Sequence, residues 1–229
     1  MTGRNASGEP VRLPPLAPGL RVGLYGGSFN PAHAGHLHVS RLAMRRLQLD
    51  WIWWLVTPGN PLKDTRELAT TEARVASARW LARHPRIRVT AFEEAIGSRY
   101  TVDTLSFLRQ RHPDVRFVWI MGADNLLGFH RWRGWERIAS LMPIAVVDRP
   151  GFTIRALQGR AAKRLAQARI PEEEAASLAE REPPAWVFLH GPRSTLSSTA
   201  LRLAVNSAKL ETADEEVKTV ALHITSPLV

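Results

Sequence analysis

Between a short apolar run and a helical pattern lies Gly26-Gly27-Ser28-Phe29-Asn30-Pro31-Ala32-His33-Ala34-Gly35-His36, and this stretch limits the fold more than any other part of the chain. The run before it, Arg21-Val22-Gly23-Leu24-Tyr25, alternates like a buried strand. Residues 37–47 place Leu37, Val39, Leu42, Ala43 and Leu47 on one helical face. The stretch is therefore a strand-to-helix connection. Its paired glycines tolerate positive φ and let a ligand approach the backbone, while Asn30-Pro31 delays entry into the helix. A helix beginning near His36 adds free amides and the positive end of its dipole, which together favour an anion. His33 and His36 are three apart, so both rings can face one oxyanion. No acidic residue lies between them and no Gly-Lys-Ser/Thr follows, so neither the zinc-protease nor the P-loop pattern is met. A zinc site on His33, His36 and His38 lacks cysteine or carboxylate partners nearby. A purely structural glycine turn is the remaining alternative to phosphate binding.

Beyond this loop the chain alternates strand and helix. Trp51–Val56 reads as a buried strand, and the proline-rich segment after it carries Lys63, the one cation well placed there to reach a phosphate, or else an ordinary solvated lysine. Thr70 and Thr71 offer capping hydroxyls to a helix with Val75, Ala78 and Ala82 on one face, ending at His84-Pro85; Ile87, Val89 and Ala91 alternate as a third strand. In residues 98–105, Ser-Arg-Tyr-Thr-Val-Asp-Thr-Leu, Thr101 reads as a helix cap with Asp103 in the first turn. Residues 117–121 form a fourth strand with Gly122-Ala123-Asp124-Asn125 at its carboxyl end, where Asp124 suits sugar hydroxyls or, alternatively, caps a helix. Residues 129–138 pack Trp132, Trp135 and three arginines, among them Arg133, into ten positions, as a partner surface or a nucleic-acid platform would. Residues 144–148 make a fifth strand closed by the turn Arg149-Pro150-Gly151, and Trp186–Leu189 the last. Residues 152–184, rich in Ala, Arg and Glu, read as helix and variable surface without evident chemistry. In residues 194–202, hydroxyls of Ser197, Ser198 and Thr199 at a helix start suit phosphate oxygens, with Arg202 one turn on as a bidentate clamp, or they form an ordinary serine cap.

Gly-Ser-Phe-Asn-Pro followed by His33-Ala34-Gly35-His36 resembles the (T/H)-x-G-H signature of the nucleotidyltransferase superfamily, which transfers AMP or CMP from a nucleoside triphosphate. The later segments narrow the resemblance to bacterial-type nicotinate mononucleotide adenylyltransferases over about residues 21 to 205. Ser-x-Tyr-Thr-x-Asp-Thr-Leu is similar to the family's element at residues 98–105, Gly-x-Asp to the one at 122–124, and Ser-Ser-Thr-x-Leu-Arg to Ser-Ser-Thr-x-Ile-Arg, with Leu201 in place of isoleucine. The resemblance implies a Rossmann-like, doubly wound, mostly parallel α/β sheet with helices on both faces. It also implies AMP transfer from ATP to nicotinate mononucleotide, giving deamido-NAD and pyrophosphate. By the same resemblance His33, His36, Lys63 and Arg202 act on the phosphates, with Gly26, Gly27, Ser28, Phe29, Ser197, Ser198 and Thr199 binding ATP. Tyr100, Thr101, Asp124, Trp132 and Arg133 then bind the nucleotide and its pyridine ring, Trp132 by stacking. Mg²⁺ is expected on the substrate phosphates rather than in a protein cage.

A formal charge of +10, from 31 Lys and Arg against 21 Asp and Glu, raises the question of nucleic acid. Many arginines, such as Arg41, Arg45 and Arg46, sit at helical spacing, and no RNA-binding aromatic pair or zinc finger is present, so attraction of anionic mononucleotides is an adequate use for the charge. No run approaches a membrane span, and the chain has no cysteine, which agrees with a cytoplasmic protein. Residues 1–20, with Pro10, Pro14, Pro15 and Pro18, read as a flexible leader, 21–207 as the nucleotidyltransferase domain and 208–229 as a tail. Oligomeric state stays open. A related transferase using nicotinamide mononucleotide or phosphopantetheine, or a basic nucleic-acid-binding protein, are the competing functions.

Overall fold

Six strands form one all-parallel sheet in the order β5-β4-β3-β6-β7-β8. The computed structural model describes residues 3–4, 10–11, 13–58, 68–149 and 151–191. In chain order the elements begin with a two-residue antiparallel pair, β1 (Gly3–Arg4) and β2 (Pro10–Val11). Next come β3 (Arg21–Gly27), α1 (Ala34–Arg46), β4 (Trp51–Val56), α2 (Thr71–Leu81), β5 (Ile87–Thr90), α3 (Phe92–Ala95) and α4 (Thr101–Arg111). The chain continues with β6 (Arg116–Gly122), α5 (Ala123–Gly128), α6 (Trp135–Leu141), β7 (Ile144–Val147), α7 (Thr153–Leu157), α8 (Arg160–Arg164) and β8 (Trp186–Leu189). Three 3₁₀ segments, Phe129–Arg131, Ala166–Ala168 and Glu172–Glu180, complete the described residues.

The strands are apolar throughout because both faces of a parallel sheet are covered. Alternation then sorts them: Leu24, Trp53, Trp119, Val146 and Phe188 face a core with α4, α5, α6 and α8, whereas Ile52, Trp54, Ile120, Val147 and Leu189 face one with α1, α2 and the 3₁₀ segment Glu172–Glu180. This is the expected doubly wound α/β architecture. The strand order reverses between β3 and β6, and in such sheets the crevice at the carboxyl ends of the strands flanking the reversal is where ligands bind. The loop after β3 and the Gly122–Asp124 segment after β6 border that crevice.

Local structure departs from the sequence reading at several points. Gly26 and Gly27 lie within β3 rather than in the loop, and neither has positive φ; the left-handed residue is Phe29, at φ 47°. Glycine is needed at Gly26 for a different reason, since a Cβ there would sit 2.6 Å from the Trp119 ring. Helix α1 begins at Ala34, ahead of the expected start, because His33 itself caps it. It ends where Leu49 donates its amide to Met44 O at 3.0 Å around left-handed Gln48, a Schellman closure without glycine. Helix α2 stops at Leu81, before His84-Pro85, and is capped by Thr70 as expected. Thr101 is the first helical residue of α4 and not its cap; Tyr100 holds that position, in an extended conformation and without a side-chain cap bond. Asp124 lies inside α5, whose cap is Gly122, so the capping role does not apply. Within residues 1–20, Leu13, Leu16 and Leu20 pack against the core, and Gly19 donates its amide to Asp114 O at 2.8 Å.

Candidate active site

At the start of α1 two histidines are fixed by the chain that carries them. The Gly35 amide donates to His33 Nδ1 at 3.1 Å, and the His33 amide donates to His36 Nδ1 at 3.1 Å. Both Nδ1 atoms are acceptors, so each neutral ring carries its hydrogen on Nε2, where it is a donor. The ring centroids are 3.8 Å apart and both side chains are buried. Tyr25, Phe29 and Trp54 surround His36, with Phe29 stacked on Trp54 at 5.0 Å. A satisfied polar chain holds the first turn of α1 to β4: Trp54 Nε1 donates to Ser40 Oγ at 2.8 Å, and Ser40 Oγ donates to His36 O at 2.8 Å.

Burial, aided by the nearby Arg149 guanidinium, lowers the His33 pKa to about 4. His36 is pushed well below its ordinary value by burial, then by His33 and Arg149, against a smaller opposing effect of the His33 backbone bond. Both rings are therefore neutral donors at neutral pH, which suits holding a phosphate oxygen without transferring a proton to it. Among the described residues, Arg149, one residue past Asp148 at the carboxyl end of β7, brings fixed positive charge to the two rings. Its Nε lies 3.4 Å from Asp124 Oδ1, and its positive charge acts on the Tyr25 hydroxyl. Burial raises the Tyr25 pKa, with Arg149 lowering and Asp124 raising it further. Three strands thus deliver one cluster: Tyr25, His33 and His36 from β3 and its loop, Asp124 from β6, and Arg149 from β7.

A second cluster joins the segments around Tyr100 and Trp132. The Arg133 guanidinium lies 4.5 Å over the Tyr100 ring. Trp132 is half-buried, edge-on to Trp119 at 6.3 Å and to Phe129 at 5.5 Å. Trp119 is the same indole that covers Gly26, so the second cluster abuts the end of β3.

Residues 24–204 match the family model described as cytidylyltransferase-like. A probable nicotinate-nucleotide adenylyltransferase of Methylorubrum extorquens is 67% identical over 183 residues, which cover 80% of this chain and 99% of that protein. The chain belongs to the nicotinate-nucleotide adenylyltransferases, within the cytidylyltransferase-like family. An Agrobacterium fabrum relative of the same description is 58% identical over 79% of this chain and 97% of its own. A nicotinic acid mononucleotide adenylyltransferase of Plasmodium falciparum, solved in complex with NaAD, superposes with a TM-score of 0.57 at 17% identity, over 80% of this chain and 82% of that one. That likeness bears on the fold.

In this adenylyltransferase the structure brings His33, His36 and Asp124 into one cluster and Tyr100, Trp132 and Arg133 into the other. Gly27 is half-buried with the Phe29 ring against it, and Ser28 gives its carbonyl to Arg74 Nη1 at 2.9 Å. Phe29 is itself a packing residue, so any contact it makes to a nucleotide falls to its backbone. Thr101 is half-buried at the start of α4. Lys63, Ser197, Ser198, Thr199 and Arg202 lie outside the described residues. The sequence reading missed Tyr25 and Arg149, treating the latter as part of a turn; its place just past a strand's carboxyl end was the available signal. It also missed Arg74, a buried guanidinium that donates to Ser28 O, Thr57 O at 2.7 Å and Ala69 O at 2.9 Å, tying together the segments after β3, after β4 and before α2.

Proposed function

We infer that the protein transfers AMP from ATP to nicotinate mononucleotide, forming deamido-NAD and pyrophosphate. The observation that carries this reading is the pair of neutral Nε2–H donors on His33 and His36 beside the Arg149 cation, at the reversal point of the sheet, in a chain 67% identical to a probable nicotinate-nucleotide adenylyltransferase. The phosphate monoester of the acceptor is already anionic near neutral pH. It attacks the α-phosphorus in line, the bond to the bridging oxygen breaks, and pyrophosphate leaves with its electron pair. No general base is needed, so catalysis rests on positioning and on stabilising charge. His33 and His36 hold the departing phosphates and Arg149 balances their charge, with Lys63 and Arg202 assigned the same task from sequence.

Gly26, Gly27 and the backbone around Ser28 and Phe29 form the floor for the triphosphate, with Ser197, Ser198 and Thr199 assigned to ATP from sequence. Asp124 takes nucleotide ribose hydroxyls once substrate displaces its contact with Arg149. Tyr100, Thr101 and Trp132 receive the pyridine ring, with Arg133 favouring a base that carries a carboxylate. Among the described residues no group of three or more His, Cys, Asp or Glu side chains is placed to hold a metal ion, and Asp124 faces Arg149. Mg²⁺ would be held by the substrate phosphates, where it would neutralise charge. No helix among the described residues is long and apolar enough to cross a membrane.

The test is kcat/KM with ATP and a panel of acceptors: nicotinate mononucleotide, nicotinamide mononucleotide and phosphopantetheine. Nicotinate mononucleotide is expected to lead. A higher value for phosphopantetheine would overturn the reading.

A further inference from the structure

Glu93, in the short helix α3 beyond the carboxyl end of β5, has a buried carboxyl group that the mechanism above leaves unused. It starts a line of oxygens. Glu93 Oε1 is 2.8 Å from Thr104 Oγ1, Thr104 Oγ1 is 2.9 Å from Ser98 Oγ, and Ser98 Oγ is 3.1 Å from the carbonyl oxygen of Tyr100. All three side chains are buried, with Thr104 fully so. Each contact in the line needs one hydrogen, and the two hydroxyls supply two. The carbonyl supplies none. The third can come only from the carboxyl, in the order Glu93 to Thr104, Thr104 to Ser98 and Ser98 to Tyr100 O. Were Glu93 ionised, Thr104 would donate to it and Ser98 would have one hydrogen for two contacts, Thr104 and Tyr100 O, so the line would be broken on one side of Ser98 or the other.

We propose that Glu93 is a positioning residue that carries a proton in the working enzyme, closing a hydroxyl chain through Thr104 and Ser98 onto the Tyr100 carbonyl and so fixing the turn that presents Tyr100 and Thr101 to the pyridine base. The proposal rests on the assignment of that turn to the nicotinate pocket. Burial supports it by raising the Glu93 carboxyl pKa to about 7, against a smaller lowering by Thr104. The charged neighbours do not compete. Glu94 on the same turn, Arg99 in the following loop and Asp103 on α4 are exposed, and Arg74 of α2 acts on Glu94. Trp53 of β4 and Leu105 of α4, on elements packed in the same core, are buried and uncharged. The Ser98 amide donates to Glu93 O at 2.9 Å, so the backbone that carries the carboxyl also anchors the turn it controls.

The experiment compares the full-length enzyme with Glu93→Gln and Thr104→Val between about pH 6 and 8.5. A glutamine amide keeps a donor toward Thr104 at every pH, whereas valine keeps the shape and breaks the line. In the unmodified enzyme KM for nicotinate mononucleotide should rise as pH passes about 7, with KM for ATP unaffected by this step. Glu93→Gln should hold the low KM across the range. Thr104→Val should raise it by about tenfold at all pH values. Infrared titration should show the C=O stretch of an un-ionised carboxylic acid that Glu93→Gln removes. An unmodified enzyme and Glu93→Gln sharing one KM profile, equal changes in KM for both substrates, or no such band would overturn the proposal. Failure of the underlying functional reading shows differently, as no deamido-NAD from the unmodified enzyme, and the carboxyl band then still decides whether Glu93 holds the proton.

Discussion

The backbone amide of His33 donates to Nδ1 of His36, and this single bond sets which nitrogen of His36 can meet a substrate. With Nδ1 occupied and the ring neutral, the hydrogen resides on Nε2. The cap of α1 and the proposed chemistry of the pocket are therefore one arrangement: residues that begin the helix also fix the tautomers that the proposed mechanism uses on the phosphates.

Removal of the His36 ring tests that arrangement. His36→Ala should lower kcat by at least about tenfold and up to a thousandfold, the range for losing a preorganised donor to developing charge. Stability should fall by only about 1–3 kcal/mol, since the first turn of α1 keeps the Ser40 bond to its backbone. Steady-state kinetics with a thermal melt on the same preparation checks this, and near-normal turnover would remove His36 from the reaction.

The depressed histidine pKa values make stability depend on pH. Unfolded, His33 titrates near 6.5; folded, near 4. Between these values the unfolded chain binds more protons, so stability present above about pH 6.5 is lost progressively as pH falls towards 4. For His33 alone the loss is on the order of 2–3 kcal/mol, with His36 adding in the same direction. Urea unfolding at several pH values measures the slope, which His33→Asn should make shallower. An unchanged slope in that variant would assign the effect to other groups.

Much of this was open to reading in the chain itself. Runs such as Trp51–Val56 are too apolar and too short to be anything but buried strands, and the spacing of His33 and His36 is enough to bring both rings together at one helix start. What escaped depends on contacts between distant segments. No local pattern shows that Gly26 must be glycine to admit Trp119 from β6, or that Arg149 shares a pocket with Tyr25 from the far side of the reversal point. Histidine is not an ordinary cap residue, so the earlier start of α1 at Ala34 was hidden as well. The line from Glu93 to Tyr100 spans a loop and two helices, and a buried carboxyl has no sequence signature.

Arg149 provides a test with two independent readouts. Arg149→Met should reduce kcat/KM by roughly one to two orders of magnitude, the loss expected for a charge-assisted contact, with Arg149→Lys recovering part of it. Because the guanidinium lowers both histidine pKa values, its removal should also raise them in NMR titrations of the imidazoles. Unmoved titrations would place the charge too far from the histidines to act on them.

The choice of base should divide between Trp132 and Arg133. Stacking on an indole is available to nicotinate and nicotinamide alike, so Trp132→Ala should weaken both mononucleotides and keep most of the preference for nicotinate. Arg133, held over the Tyr100 ring, should discriminate by charge, and Arg133→Gln should narrow the preference by up to about tenfold. The ratio of kcat/KM values for the two acceptors measures this; a ratio that falls with Trp132→Ala and not with Arg133→Gln would reverse the assignment.

Turnover should require a divalent cation. Chelation is expected to abolish product formation and added Mg²⁺ to restore it, without a change in the melting temperature of the substrate-free protein. Full activity after exhaustive chelation would exclude the requirement.

The most direct measurement follows the α-phosphorus. With ATP labelled there and a slight excess of enzyme, a single turnover with nicotinate mononucleotide should place all transferred label in deamido-NAD and release one unlabelled pyrophosphate for each. Folded His36→Ala should form the same product more slowly. Label that appears as free AMP, or in deamido-NAD at an equal rate in both proteins, would contradict transfer at the His33 and His36 pocket.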